Sequence, residues 1–95
     1  MIKADYKESI NWMNDQSYNL FFLREAERTV NTLVQERGYI YLNEIHQSLG
    51  LKWDPEKENI LFRSDDKYNK YPGRLILEYF PGSELLLIHD LKEES

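Results

Sequence analysis

Residues 75–91 read LILEYFPGSELLLIHDL, and this stretch decides the fold class. Two β-prone runs, Leu75–Phe80 and Glu84–Leu91, flank the turn signal Pro81-Gly82-Ser83. That is the pattern of an antiparallel hairpin. Alternation puts Leu75, Leu77 and Tyr79 on one face and Ile76, Glu78 and Phe80 on the other. In the second strand Leu85, Leu87, His89 and Leu91 alternate with Leu86, Ile88 and Asp90. Apolar residues on both faces predict a hairpin that is central, or covered on both sides.

Upstream of the hairpin the period changes from two to near four. Tyr18–Arg37 is the strongest helix, with Leu20, Leu23, Ala26, Val30, Leu33 and Val34 along one stripe. Gly38 follows as a C-terminal cap, and Arg37 in the last turn suits the helix dipole. Tyr39–Leu42 is a short β-prone run. Asn43 is then expected to cap a helix over Glu44–Leu49, stopped by Gly50, with Ile45 and Leu49 facing inward beside Leu42 and Leu51. Asp5–Met13 is expected to form a first short helix, with Ile2, Tyr6, Ile10 and Met13 on one face. The polar Asn14–Ser17 breaks it from the long helix. Asp54-Pro55-Glu56 has the chemistry of a helix start, but a helix continuing to Arg63 would bury little. A loop followed by a strand over Asn59–Arg63 is the preferred reading.

The expected fold is therefore α+β. N-terminal helices, one of them long, precede a small, mainly antiparallel three-stranded sheet that ends in the hairpin. The expected core is Leu23, Val30, Leu33, Ile40, Leu42, Ile45, Leu49, Leu51, Ile60, Phe62, Leu75, Leu77, Leu85 and Leu87. With 95 residues there is room for one domain, spanning 1–95 with a short polar tail at 92–95. Hydrophobic residues make up 41% and charged residues 31%, a balance that can build a core but no membrane span of roughly 18 apolar residues. The charged start of the chain does not read as a secretory signal, so the expected compartment is the cytoplasm. Without Cys, disulfide scaffolds and thiol chemistry are excluded.

Net charge is −5, shared between the two halves, so no domain-wide phosphate-binding surface is present. No phosphate loop, nucleophile elbow or metalloprotease motif occurs. The two histidines read as structural: His46 within a capped helix, and His89 on a strand where its neighbour Asp90 points the other way. Asp65-Asp66 reads as a solvated turn. The expectation is no catalytic residue, no metal and no cofactor. Two surfaces carry recognition chemistry. Tyr18, Phe21 and Phe22 widen the apolar side of the long helix near its start, a composition favoured at protein interfaces. Trp12 and Trp53 could join them. In RSDDKYNKYPGR, residues 63–74, the cations Arg63, Lys67, Lys70 and Arg74 interleave with Tyr68 and Tyr71. That is the composition of phosphate contact with base stacking.

Two resemblances add to this reading. Thr29–Leu51 (TVNTLVQERGYIYLNEIHQSLGL) resembles the entry to a winged-helix domain. That resemblance implies a nucleic-acid-binding regulator, with the terminal hairpin as wing and Asp54–Arg63 as recognition helix, although this helix would begin with acidic residues. Over the longer span Ala26–Leu91, the motifs Gly38-Tyr39, Leu42-Asn43-Glu44 and Leu49-Gly50-Leu51 are similar to those of small uncharacterised proteins from phages and prophages of Gram-positive bacteria. These motifs are structural punctuation, so this resemblance implies origin and fold and no chemistry. The leading expectation is a non-enzymatic, acidic protein-interaction module. Its partner would be itself as a homodimer, a phage component or a host factor, and the nucleic-acid binder is the alternative.

Overall fold

The computed structural model describes residues 2–94. The fold is α+β, with two helices and two small antiparallel sheets of three strands each among the described residues. Strands are β1 (Ile2–Asp5), β2 (Tyr39–Tyr41), β3 (Ile60–Arg63), β4 (Leu77–Phe80), β5 (Leu85–Ile88) and β6 (Lys92–Glu93). Helices are α1 (Gln16–Arg37) and α2 (Leu42–Ser48), and Tyr6–Glu8 and Pro55–Lys57 are single 3₁₀ turns. The first sheet has the order β1-β5-β4 and the second β2-β3-β6.

Helix α1 forms where the stripe predicts it. It starts two residues earlier because Asp15 Oδ1 accepts the Tyr18 N–H at 3.1 Å, an N-cap bond. It ends at Gly38, whose φ of +85° closes the helix at the lowest steric cost. Leu23, Ala26, Val30 and Val34 are buried. Leu20, expected on the same stripe, is 42% exposed.

Several expectations are corrected. The first segment is not a helix over Asp5–Met13. Residues 2–5 pair with β5, and only Tyr6–Glu8 make a helical turn. Tertiary pairing outweighs a weak local period, leaving Tyr6 fully buried while Ile10 and Met13 face solvent. Asn43 does not cap α2, which begins at Leu42. Glu44 carries the cap by accepting the Tyr41 N–H at 3.1 Å. The Asn43 amide instead brackets Asp54, accepting its N–H at 2.8 Å and donating to its C=O at 2.9 Å. Asp54–Arg63 supplies no recognition helix. A 3₁₀ turn leads to strand β3, as the loop-and-strand reading expects. There are also two sheets where one was expected, and β6 follows the hairpin to pair with β3.

The hairpin forms, and β5 is the central strand of its sheet. Its phase differs from expectation: Leu86 and Ile88 are fully buried, whereas Leu85 and Leu87 are half-buried. Both faces of this strand are apolar, so alternation alone could not choose between them. Two flanking bonds fix which backbone groups face which neighbour. Tyr6 N–H donates to Glu84 C=O at 2.9 Å, continuing the β1–β5 register, and His89 N–H donates to Ile76 C=O at 3.3 Å, continuing β4–β5. In an antiparallel ladder the bonded pairs alternate. Ile2, Ala4 and Tyr6 therefore bond to β5, and the N–H and C=O of Lys3 and Asp5 point to the outer edge. On the β4 side the outward groups belong to Leu75, just before the strand, and to Leu77 and Tyr79.

Candidate functional site

Four apolar side chains stand exposed at the N-terminal end of α1 and just before it. Phe21 is 65% exposed, Met13 51%, Leu20 42% and Tyr18 40%. Asn19 sets this corner. It is buried and brackets Met13, accepting its N–H at 3.0 Å and donating to its C=O at 2.7 Å. The polypeptide is thus pinned where it turns into the helix, and Met13 is held against the first turn. Contacts from Asn31 to Leu75 and from Glu27 to Leu77 show α1 and β4 running antiparallel. The first turns of α1 accordingly lie toward the β4 end, where Phe80 is 39% exposed.

Of the residues expected on this surface, Tyr18 and Phe21 are there. Phe22 is not. It is half-buried against the core and stacks on Tyr6 at 6.4 Å between ring centroids. Beneath the patch, Tyr6 meets Tyr79 edge-on at 5.9 Å, and the Tyr79 hydroxyl donates to the Glu84 carboxylate. Burial pushes both phenols, Tyr6 and Tyr79, up to about 12. The start of α1 is therefore anchored, through Phe22, on a buried aromatic floor. Trp12 is half-buried against the core, and Trp53, half-exposed, lies on another face.

The basic segment is drawn apart. Arg63 Nη2 donates to Glu94 at 3.2 Å, and Arg74 lies 3.8 Å from Glu27, both against carboxylates. Lys67 covers Tyr68 at 5.2 Å and Lys70 covers Tyr71 at 5.3 Å. Tyr71 packs edge-on to His89 at 5.3 Å, so its ring is committed inward on that side. Asp66, paired with Lys92, has its carboxyl held below the ordinary range by that hydrogen bond. Asp90 accepts the Lys70 and Tyr71 N–H groups at 2.8 and 3.0 Å and so shapes the loop.

The two histidines also lie apart. His89 Nε2 is 2.9 Å from Glu78 across the hairpin. His46 is buried, with Nδ1 3.1 Å from the Lys52 carbonyl. A carbonyl only accepts, so Nδ1 carries the proton. Burial lowers the His46 pKa and keeps the ring neutral. Among the described residues, no three His, Cys, Asp or Glu side chains converge in a metal-binding group, and no helix is long and apolar enough to cross a membrane.

His46 lines a cleft of about 670 Å³ that sequence reading did not anticipate. One wall is Lys3, Ala4 and Asp5 of β1, and the other is the loop from Leu51 to Lys57, including Trp53. Three consecutive β1 residues line it although their side chains alternate between faces, so the cleft runs along the strand edge. Its existence depends on β1 being a strand, and the local period of residues 2–13 pointed elsewhere. Of the neighbouring features, only Trp53 carried a signal in composition.

No curated protein and no solved structure matches the chain. One family does, over residues 4–75, from β1 to the residues just before β4. On that match, which takes in both helices and strands β2 and β3, the chain belongs to the family described as "Family of unknown function (DUF6353)".

Proposed function

We propose that this domain is a non-enzymatic protein-interaction module that binds a protein partner on the exposed end of α1. One observation carries the reading: Phe21, Leu20, Tyr18 and Met13 are exposed together on a segment fixed by the Asn19 bracket and a buried aromatic floor. A rigid apolar patch lowers the ordering cost of binding, and aromatic anchors carry much of the energy at protein interfaces. The net charge of −5 favours a partner that is not itself strongly acidic. A phage or prophage origin, with a phage or host protein as partner, belongs to the same proposal. It rests on the Gly38-Tyr39, Leu42-Asn43-Glu44 and Leu49-Gly50-Leu51 resemblance.

The test is affinity capture with the wild-type chain, a Leu20→Ser/Phe21→Ser variant and a Lys67→Ala/Lys70→Ala variant, read by quantitative mass spectrometry. A protein retained by the wild type and by the lysine variant, but lost from the Leu20/Phe21 variant, supports the reading. Equal recovery by wild type and the Leu20/Phe21 variant overturns it.

A further inference from the structure

The first sheet has two outer edges, and they are treated differently. On the β4 side the outward groups of Leu75 and Leu77 are occupied by α1. The Asn31 amide accepts the Leu75 N–H at 2.7 Å and donates to the Leu75 C=O at 2.9 Å, and Glu27 Oε2 accepts the Leu77 N–H at 2.8 Å. On β1 the outward groups are those of Lys3 and Asp5. Apart from the Asp5 C=O, which accepts the first bond of the 3₁₀ turn that Asp5 caps, no backbone or side-chain group among the described residues bonds to them. They open into the cleft beside Trp53. An unpaired strand edge is a template for another strand.

We propose that β1 pairs with β1 of a second copy of this chain, antiparallel and centred on Ala4, joining two three-stranded sheets into one of six. Sequence and register both select this occupant. A two-fold axis at Ala4 sets Lys3 opposite Asp5 of the second copy, and Asp5 opposite its Lys3. Both pairs fall at hydrogen-bonded positions of the ladder: each Asp5 N–H finds a free Lys3 C=O, and each Lys3 N–H meets an Asp5 C=O shared with the 3₁₀ turn. Lys3 and Asp5 are exposed on one face of the strand, so each pair also places opposite charges across the new ladder. The small Ala4 meets itself at the axis, where a non-bonded pair brings the chains nearest. The contact is isologous and therefore closes at two copies. Trp53, half-exposed along the same cleft, would be shielded on association.

The experiment is sedimentation of the full chain from low micromolar to about 1 mM, where even weak association registers. Alongside it, amide exchange is followed by NMR at each end of that range. The expected result is a monomer–dimer equilibrium, with exchange of the Lys3 and Asp5 amides slowing as concentration rises and that of Leu77, already bonded within the chain, unchanged. Lys3→Asp should abolish the dimer by setting like charges opposite each other, and Lys3→Asp/Asp5→Lys should restore it. Because Asp5 also caps the 3₁₀ turn, the exchange readout decides should the double variant unfold. A wild-type monomer throughout, or a dimer that survives Lys3→Asp with both amides exchanging freely, overturns the proposal. The Leu20→Ser/Phe21→Ser variant should dimerise like wild type, so failure of the α1 patch and failure of the β1 edge are told apart.

Discussion

The two edges of the first sheet show opposite solutions to one problem. Both β1 and β4 present backbone donors and acceptors away from β5. On the β4 side a single helix answers those of Leu75 and Leu77 with an asparagine and a glutamate set one helical turn apart, so that the side chains take the place of a neighbouring strand there. At β1 the groups face a cleft, and the flanking side chains Lys3 and Asp5 are charged. The closed edge is a stability device, since its groups lie in the interior and every buried amide needs a partner. The open edge makes no such demand while water reaches it. Substitutions on the two sides should therefore differ in kind.

The largest effect is expected from Asn31→Ala. It removes both partners of the Leu75 peptide groups at once, and Leu75 is fully buried. Leaving buried polar groups unpaired should cost about 2–4 kcal/mol. In a domain of this size that is a fall in Tm of roughly 10–20 °C, measured by thermal unfolding. A loss below about 0.5 kcal/mol would show that water replaces the amide and that the edge is not truly closed.

Gly50→Ala comes next, on the open side. Gly50 joins the two walls of the cleft: Ile10 N–H donates to its C=O at 3.0 Å, and the Ser9 hydroxyl donates to the Leu49 C=O. Its φ is +72°, and a Cβ there would lie 2.4 Å from Asn11 Nδ2 and 2.8 Å from Ser9 Oγ. Conformational strain and crowding together should cost about 2–3 kcal/mol by urea unfolding. Gly82, with φ of +99° and open space around it, should lose only about 1 kcal/mol on the same change.

The pH dependence separates the two sides further. Tyr6 follows β1 and Tyr79 lies on β4, and both titrate near 12 in the folded chain against an ordinary value of 10. The unfolded chain gives up these protons first, so their contribution is complete below pH 10 and is lost between about 10 and 12. Stability should fall over that window, and absorbance titration should show late-ionising tyrosines. His46 acts in the acid direction and only beside the open edge. Its folded pKa lies below the ordinary 6.5, so its contribution is present above that value and lost as the solution is acidified below it. Urea unfolding over the acid range should show this loss, and His46→Gln should flatten it.

Sequence periodicity exposed α1, α2, the hairpin and nine of the buried core positions, because those elements carry a period strong enough to set their own faces. It failed at β1, where four residues take their conformation from β5, and at β5, where Leu85–Ile88 are apolar on both faces. The Tyr18 and Phe21 surface was legible from composition near a helix start. Phe22 was not separable from Phe21 without knowing where Tyr6 sits. Neither edge could be read, because the clamps from Asn31 and Glu27 join residues more than forty positions apart.

The smallest expected effect is the sharpest use of the comparison. Lys3→Ala removes a solvent-exposed side chain at a residue whose own outward N–H and C=O are bonded to no other group among the described residues. Folding stability should stay within about 0.5 kcal/mol of wild type by urea unfolding at low micromolar concentration, where the chain is a monomer. At about 1 mM the same substitution should lower the apparent Tm relative to wild type, because only the wild type gains stability from pairing by mass action. A variant equal to wild type at both concentrations would place Lys3 outside any interface. One destabilised equally at both would mean that the β1 edge supports the monomer as the β4 edge does, and the contrast between the two edges would collapse.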